Sequence, residues 1–265
     1  MKKYLVKLTD FCCIFTIFGC IQLKLYLLAP HFAQRTLYDY RGIDGTGTAS
    51  SPASGSNQVS YTVRKLADGN CWMSDNLKLT LSTSTTIEAS TNSGGTTSWT
   101  PTGSGGTSNA ATPMNGNTTC TGSGTSKKCW YNWYAATAGS GTESQTNADA
   151  PRSICPKNWR LPSDYSISNI KSYGSLLLAY LGYVAGPNPQ NNDYIKLESS
   201  PLDFSRPGNY NGGSLSMVGS NGGNWSATAN SDSALAYRLI VHSAGSSPGY
   251  VSSKFLGFQV RCVAI

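Results

Sequence analysis

The stretch on which this fold depends runs Cys155-Pro156-Lys157-Asn158-Trp159-Arg160-Leu161-Pro162-Ser163-Asp164. It combines a cysteine that could form a disulfide, a large aromatic residue, two prolines and a helix-start signal. Ser163 is a good N-cap residue, and Asp164 is a favourable charge in the first turn of a helix. Apolar residues continue at helical spacing, so a helix is predicted to begin at Ser163 and to pass through Ile167 and Ile170.

Upstream of this stretch, the apolar pattern predicts a hairpin and a helix. Residues 59–66 alternate apolar and polar side chains, which predicts a half-buried strand. The Asp-Gly turn at 67–70 leads into a second strand at 71–73, so the two strands are expected to pair. Aromatic residues followed by alanines over 130–136 predict a short helix that faces the core.

Downstream, one more helix is expected, and the rest of the chain is predicted to be β. A helical pattern over 175–180 ends at Gly182, a residue that commonly stops helices. Alternation predicts strands at 202–204, 235–241 and 258–262, joined by glycine-rich turns. An antiparallel sheet with helices packed on it gives the α+β class.

The first residues predict export. Basic residues precede an uncharged apolar run at 11–21, which is typical of a signal peptide over residues 1–33. The run is too short to span a bilayer alone. An uncleaved signal anchor is the alternative, and Cys20, which follows a glycine, leaves lipidation open. Attachment to a membrane would therefore occur through this segment.

Two segments of low complexity divide the remainder. Residues 34–57 are predicted to be a linker, because the part after residue 40 is rich in Gly, Ser and Ala and has no periodicity. The folded domain is expected to cover 58–265. Within it, a Ser/Thr/Gly-rich insertion at about 82–126 has little to bury, so a long loop with a short strand near Trp99 is predicted.

The composition limits the classes of partner. Charged residues make up 12% of the chain, about half the usual share, which is a pattern common in secreted β-rich proteins. Four lysines against one aspartate give residues 1–33 a charge of +3, which leaves +4 of the total +7 for residues 34–265. The remaining basic residues are scattered, so no nucleic-acid partner is expected.

Five short motifs follow one another along the chain. They are Ala67-Asp68-Gly69-Asn70-Cys71-Trp72-Met73 with Asn76-Leu77, Tyr131-Asn132-Trp133 with Ala135-Ala136, Cys155-Pro156 with Trp159-Arg160-Leu161-Pro162, Trp225-Ser226 with Thr228, and Val260-Arg261-Cys262-Val263. This series resembles the Fibrobacter succinogenes major paralogous domain, a bacterial family of secreted and surface proteins. The resemblance implies a C-type-lectin-like fold, with a looped antiparallel sheet, two helices and a terminal strand. It implies an extracellular or cell-surface location and assigns no activity.

The eight cysteines predict disulfides in an exported protein. Three of them lie in the targeting segment. Cys120 is expected to pair with Cys129, and Cys155 with Cys262, which would close a loop of about a hundred residues and tie the helix start to the last strand. Cys71 is then either a buried thiol or the true partner of one of these four. No Cys-x-x-Cys pair occurs, so no metal site is predicted.

Catalysis is not expected, and no cofactor is predicted. An enzyme needs a nucleophile with a base, or paired carboxylates. His31 would leave with the signal peptide, and His242 has no acidic neighbour in the sequence. Formylglycine-generating enzymes have a related fold and depend on a pair of cysteines, but Cys262 is already assigned to a disulfide here. An enzyme of that kind ranks third among the functional interpretations.

Candidate ligand-binding residues lie in or beside glycine-rich loops: Tyr210, Asn211, Asn224 and Trp225. An aromatic ring there could stack on a sugar while asparagine supplies hydrogen bonds. The alternative for Trp225 is packing in the core, the commonest use of large aromatics. Calcium-dependent sugar recognition is not expected, because Gly186-Pro187-Asn188 and the residues after Trp225 lack the required carboxylates.

Together these features predict a secreted or surface-anchored bacterial protein that acts by binding. Its partner would be a glycan or a protein of a neighbouring cell. The alternative is a structural component of the cell envelope that has no specific ligand.

Overall fold

The computed structural model describes residues 34–102, 118–142, 144–166, 171–182, 194–211 and 213–265. The predicted signal segment and the helical positions Ile167 and Ile170 lie outside these ranges. The described residues form antiparallel sheets with three α-helices, so the predicted α+β class is confirmed.

The described part of the chain contains fifteen strands. They are β1 Gln34–Asp39, β2 Val59–Lys65, β3 Cys71–Met73, β4 Ile87–Thr91, β5 Thr96–Trp99, β6 Thr118–Thr121, β7 Lys128–Tyr131, β8 Arg152–Ser153, β9 Trp159–Arg160, β10 Asn209–Asn211, β11 Ser214–Ser216, β12 Asn221–Ala229, β13 Leu235–His242, β14 Gly245–Ser253 and β15 Val263–Ala264. The helices are α1 Trp133–Ala136, α2 Tyr173–Leu181 and α3 Tyr194–Glu198, and short 3-10 turns occupy Gly55–Asn57 and Gly124–Ser126. Across the described ranges, no helix is long and apolar enough to cross a bilayer.

A five-stranded sheet in the order β1-β2-β3-β15-β9 joins the two ends of the described chain. The predicted hairpin is confirmed, because β2 and β3 pair antiparallel with Lys65 opposite Cys71. Val59, Tyr61 and Val63 alternate as buried residues along β2. They contribute to the larger of two apolar clusters.

The second main sheet has the order β12-β13-β14. The predicted strand over 235–241 is confirmed as β13. Leu239 and Val241 on β13 belong to the smaller apolar cluster, together with Trp72 of β3 and Tyr173 of α2. Helix α2 packs against β14, and this cluster therefore fills the space between the two sheets.

The prediction that residues 34–57 form a linker is wrong for residues 34–41, which fold onto the core. Strand β1 pairs with β2 along its whole length. Asp39 at the end of β1 and Arg41 in the turn that follows are both buried, each at most 1% exposed. Apolar periodicity could not indicate this burial, because the buried side chains are charged. A buried ion pair supplies the attachment that apolar residues would otherwise provide.

The predicted insertion at 82–126 is also more ordered than a single long loop. Strand β4 pairs with β5 and with β8, and Ile87 and Ala89 on β4 are buried in the larger cluster. The strand predicted near Trp99 is confirmed as β5. Strand β6 ends the segment against β7, and residues 103–117 lie outside the described ranges.

The helix start predicted at Ser163 is wrong. The backbone N–H of Ser163 donates to Lys171, and its carbonyl accepts from Tyr173, so Ser163 forms a bridge rather than a cap. Helix α2 begins at Tyr173, where the side chain of Ser172 accepts from the Ser175 N–H. The predicted stop at Gly182 is confirmed, with the left-handed φ of 77° that glycine adopts readily.

Three other element predictions need smaller corrections. The helix predicted over 130–136 is confined to α1, because β7 takes the preceding residues. Residues 202–204 do not form a strand, because Leu202 lies in a turn and the two residues after it are irregular. The strand predicted over 258–262 is displaced toward the end of the chain. Phe258 makes only an isolated bridge to Tyr131, and the strand that pairs with its neighbours is β15.

The structure contains both predicted disulfides. Cys120 is bonded to Cys129, and Cys155 to Cys262 across 107 positions. Cys71 is buried, but it is disulfide-bonded and is therefore not a free thiol. Because the other four cysteines pair with one another, Cys71 is not the partner of any of them. The second bond fastens the stretch that begins at Cys155 to the end of the chain.

Candidate functional site

The hairpin β10–β11 carries the first two candidate residues, Tyr210 and Asn211. Tyr210 pairs with Leu215 across the hairpin. It also exchanges two backbone hydrogen bonds with Gly257, at 3.0 and 2.9 Å. The hairpin is therefore an extension of the segment that leads into the last strand. Gly208 allows the two strands of the hairpin to lie close together at its base, because a Cβ on this residue would lie 2.2 Å from the Ser216 carbonyl oxygen.

The Tyr210 side chain is braced on one side and partly open on the other. Its ring lies 6.2 Å from the ring of Trp130, which is 1% exposed. The Trp130 Nε1 donates to the Gly208 carbonyl at 3.2 Å and so fixes the indole against the base of the hairpin. Asn211 is exposed next to Tyr210. A held aromatic ring with an adjacent amide could both stack on and hydrogen-bond to a ligand.

Trp225 lies in the core, which is the packing alternative given for it above. It has no exposed surface, and its Nε1 donates to the Tyr131 carbonyl at 2.7 Å. Its ring meets Phe258 edge-on with the centroids 4.9 Å apart. A ligand at the surface therefore cannot stack on this indole.

Asn224 belongs to a buried polar network and not to the surface. Its Nδ2 donates to Asn76 Oδ1 at 2.9 Å, and Arg261 Nε donates to the same oxygen at 3.0 Å. Asn76 in turn donates to Gln259. Of the four predicted site residues, only Tyr210 and Asn211 are thus available to a ligand.

A second polar cluster, missed by sequence reasoning, surrounds Asp149. The Asp149 carboxylate accepts from Ser163 and Thr228 and lies 2.7 Å from Arg160 Nη2. Since these three donors occupy the carboxylate, it is not free to act as a base for Ser163. Burial raises the pKa of the neighbouring Asp164, and the charge of Asp149 raises it further. Through Asp149, the cluster links Arg160 of β9 to Thr228 of β12, so its role is to stabilise the fold.

His242 lies at the turn between β13 and β14. Its Nδ1 accepts from the Ala244 N–H at 3.1 Å. Burial lowers the pKa of His242, and the charges of Arg238 and Arg206 lower it further, so the imidazole is neutral at pH 7. Among the residues with described positions, no three His, Cys, Asp or Glu side chains are grouped to hold a metal ion.

Apolar residues beside the hairpin were not identified from the sequence. Leu215, Met217 and Val218 are 38%, 60% and 63% exposed. The available signal was the placing of these three residues within a stretch that is otherwise glycine, serine and asparagine. Neighbouring exposed apolar side chains are typical of surfaces that contact another molecule.

No protein-family model, curated protein or solved structure matches this chain. Its function is therefore inferred from its own residues. Those with the geometry for binding are on the β10–β11 hairpin.

Proposed function

We propose that this chain is an exported bacterial binding protein of the C-type-lectin-like kind, related to the Fibrobacter succinogenes major paralogous domain. The ligand that best suits its hairpin is a glycan. The Cys120–Cys129 and Cys155–Cys262 disulfides support export, because disulfides persist in oxidising compartments. The α+β sheet arrangement is compatible with this type of fold.

The observation that carries the proposal is the partly exposed Tyr210 ring, held in place by the buried Trp130. A braced aromatic loses little conformational freedom when a ligand stacks on it. The exposed Asn211 and Ser214 lie on the two strands of the same hairpin and offer amide and hydroxyl groups. Flat apolar surface bordered by such groups matches the alternating C–H and O–H surfaces of a sugar ring.

A neighbouring-cell protein or a structural partner in the envelope is the second candidate. It is favoured by the exposed Met217 and Val218, which follow the hairpin directly. An apolar pair of this kind suits a protein surface better than a sugar. The same hairpin would then carry a broader contact.

A glycan array with the full-length chain and matched variants tests the proposal. Tyr210→Ala should weaken binding at least about tenfold, roughly 1.4 kcal/mol, because the stacking ring is lost. Asn211→Ala should weaken binding less. Tyr38→Ala is the control, since Tyr38 is 63% exposed on β1 in another sheet and should leave binding unchanged.

Two outcomes would contradict the glycan proposal. One is the absence of binding to any glycan by folded protein. The other is an equal loss of binding in the Tyr210 and Tyr38 variants. In the second candidate, Met217→Ser would abolish capture of a protein partner while Tyr210→Ala would have the smaller effect.

A further inference from the structure

Arg238, on the central strand of the β12-β13-β14 sheet, is buried with few partners. It is 3% exposed. Its Nε donates to Ser252 Oγ at 2.8 Å, and its Nη1 makes a long contact of 3.4 Å with the Gly222 carbonyl. Within the described chain, no carboxylate pairs with it. Most of its five N–H donors are therefore unused.

Two aromatic rings fix the plane of this guanidinium. Its Cζ lies 4.1 Å from the ring centroid of Phe258 and 4.8 Å from that of Tyr250. Stacking on ring faces partly offsets the burial of the charge, but it provides no acceptors for the N–H groups at the edge. Tyr250 is 37% exposed, so one side of the stack reaches solvent.

Gly223 lets the guanidinium and the Phe258 ring pack directly on the backbone of β12. A Cβ on Gly223 would lie 2.7 Å from Arg238 Nη1 and 2.6 Å from Phe258 Cδ1. A side chain at position 223 would therefore displace Arg238 from its place between the rings. Asn221, two positions earlier on β12 and so on the same face, has a buried Oδ1 without a hydrogen-bond partner. An uncompensated donor group and an uncompensated acceptor thus lie on one face of the sheet.

The local electrostatics favour an anion at this place. Burial lowers the pKa of Arg238 to about 9, and the neighbouring phenol of Tyr250 offsets this only in part. Arg238 and Arg206 also contribute to the lowered pKa of His242. Arg206 is neutralised by Glu198 at 2.5 Å. Of these two arginines, Arg238 is therefore the one that has no counter-ion among the described residues.

We propose that Arg238 is the base of an anion-binding site that receives the carboxylate or sulfate group of an acidic sugar. The planar guanidinium can donate two parallel hydrogen bonds to such a group, and Asn221 Oδ1 can accept from a ligand hydroxyl. The choice of a sugar acid rests on the proposed function. The anion site itself rests on the Arg238 guanidinium and on the unpaired Asn221 Oδ1, independently of the hairpin.

Thermal unfolding of the full-length chain at constant ionic strength tests the site. Glucuronate, sulfate and phosphate are each compared with chloride, and glucose is the uncharged control. Glucuronate should raise the Tm of the wild-type chain, and Arg238→Met should weaken glucuronate binding at least tenfold. Methionine keeps the apolar packing between the rings. Lys157→Met removes the same charge from an exposed side chain and should keep the shift.

Sulfate and phosphate stabilise many proteins without binding to a site, so only a rise that Arg238→Met loses counts for them. Such a rise, with none from glucuronate, supports the anion site and assigns the ligand to sulfated or phosphorylated sugars. No rise with any of the three anions overturns the site, and so does an equal rise in Arg238→Met. If that variant does not fold, Arg238→Lys keeps the charge without the planar fork. It should still bind more weakly than wild type, and equal binding would overturn the site.

The outcomes separate this site from the proposed function. Glucuronate binding that depends on Arg238, together with glycan binding that ignores Tyr210→Ala, leaves the anion site and removes the hairpin proposal. If Tyr210→Ala loses glycan binding and no anion changes the Tm, the hairpin proposal stands and the anion site is removed.

Discussion

Two buried arginines in different regions of the chain differ in whether a carboxylate neutralises their charge. Arg41, after β1, donates from Nε and Nη2 to both oxygens of Asp39 at 2.9 and 2.7 Å, and from Nη1 to Ile154 O at 2.9 Å. Burial alone would lower its pKa, but the charge of Asp39 raises the pKa above the ordinary value. Arg238 is just as buried, and its pKa falls to about 9.

The difference indicates which region is structural and which is available for function. A buried charge whose hydrogen bonds are complete holds its surroundings in one arrangement. A buried charge that lacks a counter-ion lowers stability, and it is retained for some other reason. The Arg41 region attaches the N-terminal strand to the core. The Arg238 region belongs to the β12-β13-β14 sheet, whose strand β12 contacts strand β10 of the candidate hairpin.

The largest expected effect concerns the disulfide beside Arg41. Ile154, which accepts from Arg41, precedes Cys155, and Cys155 is bonded to Cys262 across 107 positions. Replacing both cysteines by alanine should lower the free energy of unfolding by about 4–5 kcal/mol, since the unfolded chain regains the entropy of a long loop. Urea unfolding of the two proteins measures this loss. A loss below about 2 kcal/mol would mean that Arg41 and the core hold this region without the bond.

Arg41→Met should come next, with a loss of about 3–5 kcal/mol, because Asp39 is left buried and unpaired. Urea unfolding at pH 7 gives the value, and Lys157→Met, on an exposed side chain, should change stability by no more than about 0.5 kcal/mol. If Arg41→Met were neutral, the region would not depend on its ion pair. The contrast with Arg238 would then disappear.

Arg261 provides an intermediate case. No carboxylate of the described residues pairs with it, but it donates to the carbonyls of Leu202 and Asp203 and to Asn76, and its Cζ lies 3.9 Å from the Phe204 ring centroid. Arg261→Met should cost about 2–3 kcal/mol, because buried carbonyls lose their donors. Arg238→Met, with fewer donors to lose, should cost less. An equal cost for the two variants in urea unfolding would show that Arg238 is also structural.

The sequence predicted those elements whose signals are local. The Asp-Gly turn before Cys71 and the alternation around Tyr61 suffice for the β2–β3 hairpin, and the short spacing of Cys120 and Cys129 favours their disulfide. The Cys155–Cys262 pair was also predicted, but the sequence left Cys71 open as an alternative partner. The Asp39–Arg41 pair could not be foreseen, because its burial depends on Ile154, more than a hundred residues away. A single charged pair leaves no periodic pattern.

The candidate site was predicted only in part for the same reason. Glycine clusters pointed to the loops around Tyr210, and the structure leaves that residue partly open. Arg238 follows Tyr237 and precedes Leu239 in the strand predicted over 235–241, so alternation puts Arg238 and Leu239 on opposite faces of β13. The structure buries both faces, since Phe258 covers the Arg238 side. The burial of Arg238 therefore depends on a contact with a residue from another part of the chain, and the local pattern along β13 does not reveal it.

The smallest effect concerns Asp164, the acidic counterpart of Arg238. Its carboxylate accepts from the Ser166 N–H at 3.1 Å but has no described cation as partner, and burial followed by the charge of Asp149 raises its pKa. A folded pKa above the unfolded value of about 3.9 means that the folded state binds the proton more tightly. The ionised group therefore destabilises the fold at neutral pH, and stability is regained as the pH falls through the raised pKa.

Asp164→Asn should consequently be slightly more stable than wild type at pH 7, by less than about 1 kcal/mol. The amide oxygen can still accept from Ser166, and the buried charge is gone. The advantage should shrink as the pH is lowered toward 4, because wild-type Asp164 then becomes neutral as well. Urea unfolding of both chains at pH 7 and pH 4 measures it, with the exposed Asp232→Asn as control. A variant less stable than wild type at pH 7 would place Asp164 with Asp39 among the compensated charges, and the uncompensated region would be reduced to Arg238.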